Sequence, residues 1–269
     1  MPSKVSPLTN VKALLFDIFG TTVDWRASVT DEISLRVFRK LSSENVLPSA
    51  LKTRLDGLTQ ADWDRFLEEW RNAYIVFTRS FNPETDPWKS IDKHHYDSLI
   101  ELLKKWDLDG LFTETELESL SLAWHRLTPW PDSPDGLMEL SRKYTLGTLS
   151  NGNTSLLHDL NDFGGLTFHK IFSAETFKAY KPNPTTYLGA VRALGLQPDE
   201  VALVAAHLGD LQAARGCGLR TIYVERNREE AWSPDEDRYK EAKGWTDLWV
   251  AEEEGGFLTV AKKLAELEQ

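Results

Sequence analysis

Four short stretches carry side chains suited to one piece of chemistry. Phe16-Asp17-Ile18-Phe19-Gly20-Thr21 ends an apolar run with a carboxylate, and Thr148-Leu149-Ser150-Asn151-Gly152-Asn153 ends a second with a hydroxyl and an amide. Tyr180-Lys181-Pro182-Asn183-Pro184 adds an ammonium, and His207-Leu208-Gly209-Asp210, after a third apolar run, adds an imidazole and a second carboxylate. A carboxylate on a tight turn can act as a nucleophile and form an ester with a substrate. The same Asp17 can equally cap its turn, and a lone Ser-Asn-Gly or Lys-Pro is usually loop. What calls for explanation is the order of all four, three of them at the ends of apolar runs.

Those runs are the elements that must position the side chains. Val11–Phe16, Tyr144–Leu149, Val201–Ala205 and Thr221–Val224 read as buried strands, and Leu248–Val250 as an edge strand. Between them lie helical patterns at Pro134–Lys143, Thr154–Phe163, Asn183–Leu194 and Asp210–Cys217, with a last one at Phe257–Glu268. Strands alternating with helices imply an α/β fold, a Rossmann-like parallel sheet covered on both faces. Polar groups at the carboxyl ends of such strands collect in one crevice, the end that Asp17, Ser150 and the His207–Asp210 loop share. From Trp25 onward the pattern changes to successive amphipathic helices: Ser28–Ser42, Ala50–Leu55, Ala61–Ser80, Asp92–Trp106 and Glu114–Arg126. The expected organisation is a core of residues 1–24 and 132–269 interrupted by an α-helical cap, 25–131. The Thr128–Pro134 stretch, with three prolines, is the return linker. Glu225–Lys243 reads as polar loop or short helix.

The set Asp-x-Phe-Gly-Thr-Thr, Ser-Asn-Gly, Lys-Pro and Gly-Asp-Leu resembles the haloacid dehalogenase superfamily, and most closely its type II 2-haloacid dehalogenases. The resemblance implies an aspartyl-ester mechanism that releases halide and a 2-hydroxy acid, with no cofactor and no metal. It makes Asp17 the nucleophile and places Thr21 beside it. Lys181 would keep Asp17 ionised, Tyr187 would steady that lysine, and Ser150 and Asn151 would bind the substrate carboxylate and help cradle the halide. Asp210 would orient Lys181 and the hydrolytic water, and Arg71, in Glu69-Trp70-Arg71-Asn72, would receive the halide. Phe19 is the discriminating position. Phosphatases of the superfamily carry a second Asp there to protonate the leaving alkoxide, and an aromatic ring cannot do so. A departing halide needs no proton. A magnesium-dependent phosphatase and a hydrolase of a non-halogenated metabolite are the alternative readings.

The chain departs from the dehalogenase pattern before Asp210. Two hydroxyls that would position water are replaced in Ala205-Ala206-His207-Leu208-Gly209. His207 either takes over as water-positioning group or base, or is a loop histidine held by hydrogen bonds. Gly209 suggests a roomier pocket. His94 and His95, without Cys or carboxylate at metal spacing, are not read as a zinc site.

Composition sets the outer limits. The chain has 269 residues with 41% hydrophobic and 27% charged, the balance of a globular protein. A net charge of −11 argues against nucleic acid as partner and leaves a small carboxylate substrate open, since local cations can outweigh a distant field. The apolar runs are too short to span a membrane, and no secretory signal is read at Met1–Asn10. The single cysteine, Cys217, forms no internal disulfide, which suits a cytoplasmic location. The resemblance is compatible with a homodimer.

Overall fold

The computed structural model describes residues 6–43 and 47–267. It divides into a core unit, Met1–Asp24 with Thr128–Gln269, and a helical unit, Trp25–Leu127.

The core unit is built on a six-stranded parallel sheet. Its strands are β1 (Ala13–Phe16), β4 (Thr145–Ser150), β5 (Lys170–Ser173), β6 (Val201–Ala205), β7 (Arg220–Val224) and β8 (Leu248–Val250). Two further short strands, β2 (Val23–Asp24) and β3 (Thr128–Pro129), pair antiparallel where the chain leaves and re-enters the core. That pairing explains why the core resumes at Thr128 rather than at Asp132: the linker is hydrogen-bonded to the segment after the first strand. The sheet order is β5-β4-β1-β6-β7-β8, so β1 is central and its neighbours lead off in opposite directions. Such a switch point opens a crevice at the carboxyl ends. Phe16, the last residue of β1, registers with Thr148 of β4 and Val204 of β6. Asp17 therefore emerges between the two neighbouring strand ends.

Period-two alternation buries both faces of these strands. Leu14, Phe16, Leu146, Val204, Ile222 and Val250 pack on one side with Leu137 and Leu140 of α6 (Ser133–Ser141) and Phe257, Val260 and Leu264 of α12 (Gly256–Glu266). Ala13, Leu15, Leu149, Leu203, Ala205 and Tyr223 pack on the other. Their partners are α9 (Pro184–Leu194), α10 (Leu208–Gly216) and α11 (Asp237–Trp245). The remaining core helices are α7 (Thr154–Phe163) and α8 (Ala174–Phe177). Strand β5 has no counterpart in the sequence reading, because Lys170–Ser173 is four residues long and begins with an exposed lysine. Within the stretch read as polar loop or short helix, α11 forms and buries Tyr239 and Ala242.

The helical unit comprises α1 (Trp25–Ser42), α2 (Ser49–Asp56), α3 (Gln60–Ser80), α4 (Ile91–Lys105) and α5 (Glu114–Ser121), followed by a 3₁₀ turn, Leu122–His125. Thr59 with Asp62, and Thr113 with Glu116, form capping boxes that start α3 and α5, and Ser90 caps α4. The core of this unit is aromatic. Trp124 stacks on His95 at 4.3 Å and on Trp25 at 5.8 Å, while Trp70 meets Trp124 edge-on at 5.4 Å. His94 stacks on Phe77 at 4.3 Å. Both histidines are buried in this aromatic core. Among the described residues, no helix is long and apolar enough to cross a membrane.

Candidate active site

The loop after β1 is shaped by its own backbone. Gly20 adopts φ +83°, a conformation that a side chain resists, and its N–H donates to Val23 O at 3.0 Å. Thr22 Oγ1 donates to Asp17 O at 2.8 Å, and Trp130 Nε1 donates to Gly20 O at 3.0 Å. Asp17 is thereby presented on a rigid turn, its side chain only 9% exposed.

Three donors converge on its carboxylate. Lys181 Nζ lies 2.8 Å from Oδ1, Thr21 Oγ1 lies 2.7 Å from Oδ2, and His207 Nδ1 lies 3.1 Å from Oδ2. Thr21 Oγ1 also accepts Ala206 N–H at 2.9 Å, so its own hydrogen must point to Asp17. Burial alone pushes the Asp17 carboxyl up, but the Lys181 ammonium and the His207 ring outweigh it and hold the group far below the usual carboxylate range. Lys181 is affected in the opposite sense. Burial disfavours its charge, and Asp17 and Asp210 together more than reverse that, raising the ammonium above its ordinary range.

Lys181 sits in the turn before α9, which starts at Pro184 with Asn183 capping Thr185 N–H. Its ammonium bridges the carboxylates, at 2.5 Å from Asp210 Oδ2. Asn151 fixes the lysine from behind: its Oδ1 accepts Lys181 N–H at 2.7 Å and its Nδ2 lies 3.5 Å from Lys181 O. The amide expected to face substrate is thus partly engaged in holding the Lys181 backbone. Ser150, wholly buried, accepts Gly152 N–H at 3.2 Å. The Tyr187 hydroxyl bonds to Asp210 rather than to Lys181, donating to Oδ1 at 2.6 Å, so the lysine is steadied through that carboxylate. Phe19 is also buried, its ring beside Gly152.

His207 ends the loop after β6 and forms the N-cap position of α10, but its side chain turns away from the helix. Nε2 lies 3.3 Å from Glu229 Oε2 while Nδ1 faces Asp17. Burial lowers the affinity of the ring for a proton, yet the two carboxylates dominate and its pKa is pushed up to about 10. At neutral pH the resting ring carries both protons. In the resting site it is then a charged donor to Asp17, with no lone pair open to a proton.

The segment after β7, read from sequence as polar loop or short helix, supplies three groups to this site. Arg226 Nε donates to Thr21 O at 3.0 Å, and its other nitrogens grip Asp132 at 2.6 and 2.9 Å. Glu229 meets His207, and Glu230 Oε2 accepts Leu208 N–H at 2.7 Å, capping α10 where His207 does not. One signal was available: Glu225–Glu230 follows a buried strand at the same carboxyl edge as the other site loops.

Arg71 belongs to the helical unit, on α3, with its guanidinium 5.4 Å from the Trp25 ring centroid and 4.5 Å from that of Tyr74. Both stacked rings belong to the same unit.

The model of the haloacid dehalogenase-like hydrolases matches residues 11–218. An (S)-2-haloacid dehalogenase from Xanthobacter autotrophicus is 33% identical over 224 residues, covering 82% of this chain and 78% of that protein. Among solved structures, a defluorinating L-2-haloacid dehalogenase superposes with a TM-score of 0.80 at 33% identity, covering 97% of this chain and 98% of the other. A second L-2-haloacid dehalogenase gives 0.76 at 32% identity, over 94% and 99%.

Proposed function

Since this chain belongs to the haloacid dehalogenase-like hydrolases, we propose that it hydrolyses a small 2-haloacid through an ester on Asp17. One observation carries the reading. An ionised carboxylate stands at the end of the central strand, held by Lys181, Thr21 and His207, with buried Phe19 where a phosphatase would need its proton donor. The alternating array Lys181–Asp210–Tyr187 fixes the ammonium, so the carboxylate stays charged and oriented for attack.

In the first step an Asp17 oxygen bonds to the halogen-bearing carbon from behind as the carbon–halogen bond breaks and its electron pair leaves with the halide. In the second, water adds to the ester carbonyl carbon of Asp17 and the carbon–oxygen bond to product breaks, giving a 2-hydroxy acid of inverted configuration. Ser150 and the second amide hydrogen of Asn151, the one not directed at Lys181 O, are assigned to the substrate carboxylate. The halide-stabilising role of Arg71 rests on the Trp70–Arg71 match.

The test is turnover of (S)-2-chloropropionate in excess chelator, read as chloride release, together with a single turnover in ¹⁸O-labelled water. The label is expected first in the Asp17 side chain, and Asp17→Asn is expected to abolish chloride release. Label passing directly into product, with Asp17 unlabelled, would end the ester mechanism. Phosphate release strictly dependent on magnesium, without dehalogenation, would return the phosphatase reading.

A further inference from the structure

Glu229 lies in Arg226-Asn227-Arg228-Glu229-Glu230, a run that by composition belongs in solvent. Its side chain is nevertheless only 5% exposed. It fits because of Gly20: a methyl group added there would land on the Glu229 carboxylate. The glycine that turns the nucleophile loop also opens the slot through which this carboxylate reaches the His207 ring. Burying a carboxylate is costly unless it is paired, and here it faces Nε2 at 3.3 Å. Asp17 faces the opposite ring nitrogen. Among the described residues, these are the two carboxylates bonded to the ring nitrogens. Lys181, from the turn before α9, reaches the far oxygen of Asp17, and Asp210 on α10 pairs with that lysine. Glu230 is directed to Leu208 N–H.

We propose that Glu229 is the positioning residue of His207, and that esterification of Asp17 converts this ring into the base that activates the hydrolytic water. The inference rests on the ester reading above. In the resting site both ring nitrogens are protonated, and no lone pair is available. Esterification removes the negative charge facing Nδ1, and the Nδ1 proton passes to solvent. Glu229 holds the remaining proton on Nε2, which selects one neutral tautomer and leaves the Nδ1 lone pair beside the ester.

Water then gives a proton to Nδ1 as its oxygen bonds to the carboxyl carbon of Asp17. The tetrahedral intermediate collapses by breaking the bond to the substrate oxygen, which takes the proton from Nδ1 and leaves as the hydroxy acid. The Asp17 carboxyl finally returns its proton to Nδ1, restoring the carboxylate–imidazolium pair. Over the cycle one water is consumed, and one halide and one proton are released.

Rapid-quench kinetics on (S)-2-chloropropionate separate the two steps, because chloride reports the first and 2-hydroxypropionate the second. In Glu229→Gln, one equivalent of chloride should appear within about threefold of the wild-type rate, followed by hydroxy acid formation roughly 10- to 100-fold slower. His207→Gln should slow the second step by about 100-fold or more. The double variant should be no slower than His207→Gln alone, because Glu229 acts through the ring. The second step should rise with pH as the ring loses its proton, and in Glu229→Gln the midpoint should move to lower pH.

A side chain that only supports the fold would slow both steps alike and leave the midpoint in place. Either result, or additive losses in the double variant, overturns the proposal. If Glu229→Gln does not fold, His207→Gln still decides: an unchanged ratio of the two steps overturns it. A wild-type enzyme that releases no chloride sinks the ester reading, and this inference with it. Wild-type chloride release with a failed partition in the variants sinks this inference alone.

Discussion

Lys181 is the side chain on which the candidate site turns, since its ammonium lies within 2.8 Å of Asp17 and 2.5 Å of Asp210. Removing one partner of a buried ionic group leaves the others uncompensated, at a cost of about 3–5 kcal/mol. Lys181→Met is therefore expected to lose turnover and to be destabilised by that order, as read by chemical denaturation at pH 7. The pH dependence has a defined sign. Asp17 has a folded pKa below its ordinary 3.8, so its contribution is present above that value and is lost as pH falls below it. Lys181 is raised above 10.5, so its contribution is complete below that value and is lost as pH climbs past it. In Lys181→Met the ammonium no longer opposes desolvation at Asp17, and the acid-side loss should begin at higher pH than in the wild type.

At the scale of elements, α9 and α10 face each other through Tyr187 and Asp210, whose hydrogen bond is 2.6 Å long. Tyr187→Phe leaves a carboxylate oxygen short of a donor inside the core, and a loss of about 1–3 kcal/mol is expected. Steady-state kinetics should show a fall in kcat of roughly tenfold with little change in KM, because the lysine loses orientation rather than a substrate contact. The strands that carry the site were legible in the sequence because each is a short apolar run with a polar residue at its end. Asp17 and Lys181 are 164 positions apart, and the alternation of strands with helices was enough to bring them to one edge. What escaped was of two kinds. Strand β5 is too short and too polar at its start to show a pattern. Glu229 and Arg226 look like solvated charge, and only the tertiary fold, with Gly20 opening the slot, turns that charge inward.

At the scale of the whole molecule, the two units meet acid differently. The aromatic core of the helical unit contains two buried histidines. Burial, reinforced by Lys89, lowers His94 to about 4, and burial holds His95 well below its ordinary range. The unfolded chain takes up these protons near pH 6.5, whereas the folded unit resists them. Stability is therefore full above that value and lost as pH falls towards 4, by about 3 kcal/mol for His94. His94→Phe, which keeps the stack on Phe77, should flatten this dependence, as measured by denaturation at pH 7 and pH 4.5. In the core unit, the charges form one line: Glu229, His207, Asp17, Lys181, Asp210. Signs alternate along it, and both ends are acidic, so with every member ionised it holds one surplus negative charge. On the ester mechanism proposed above, bonding substrate to the middle member would cancel that surplus at the moment of displacement, before the ring gives up its Nδ1 proton. A departing halide would then carry away electron density that the row no longer has to accommodate, and its return would restore the imbalance. On that mechanism, the odd number of links would bias the displacement forward.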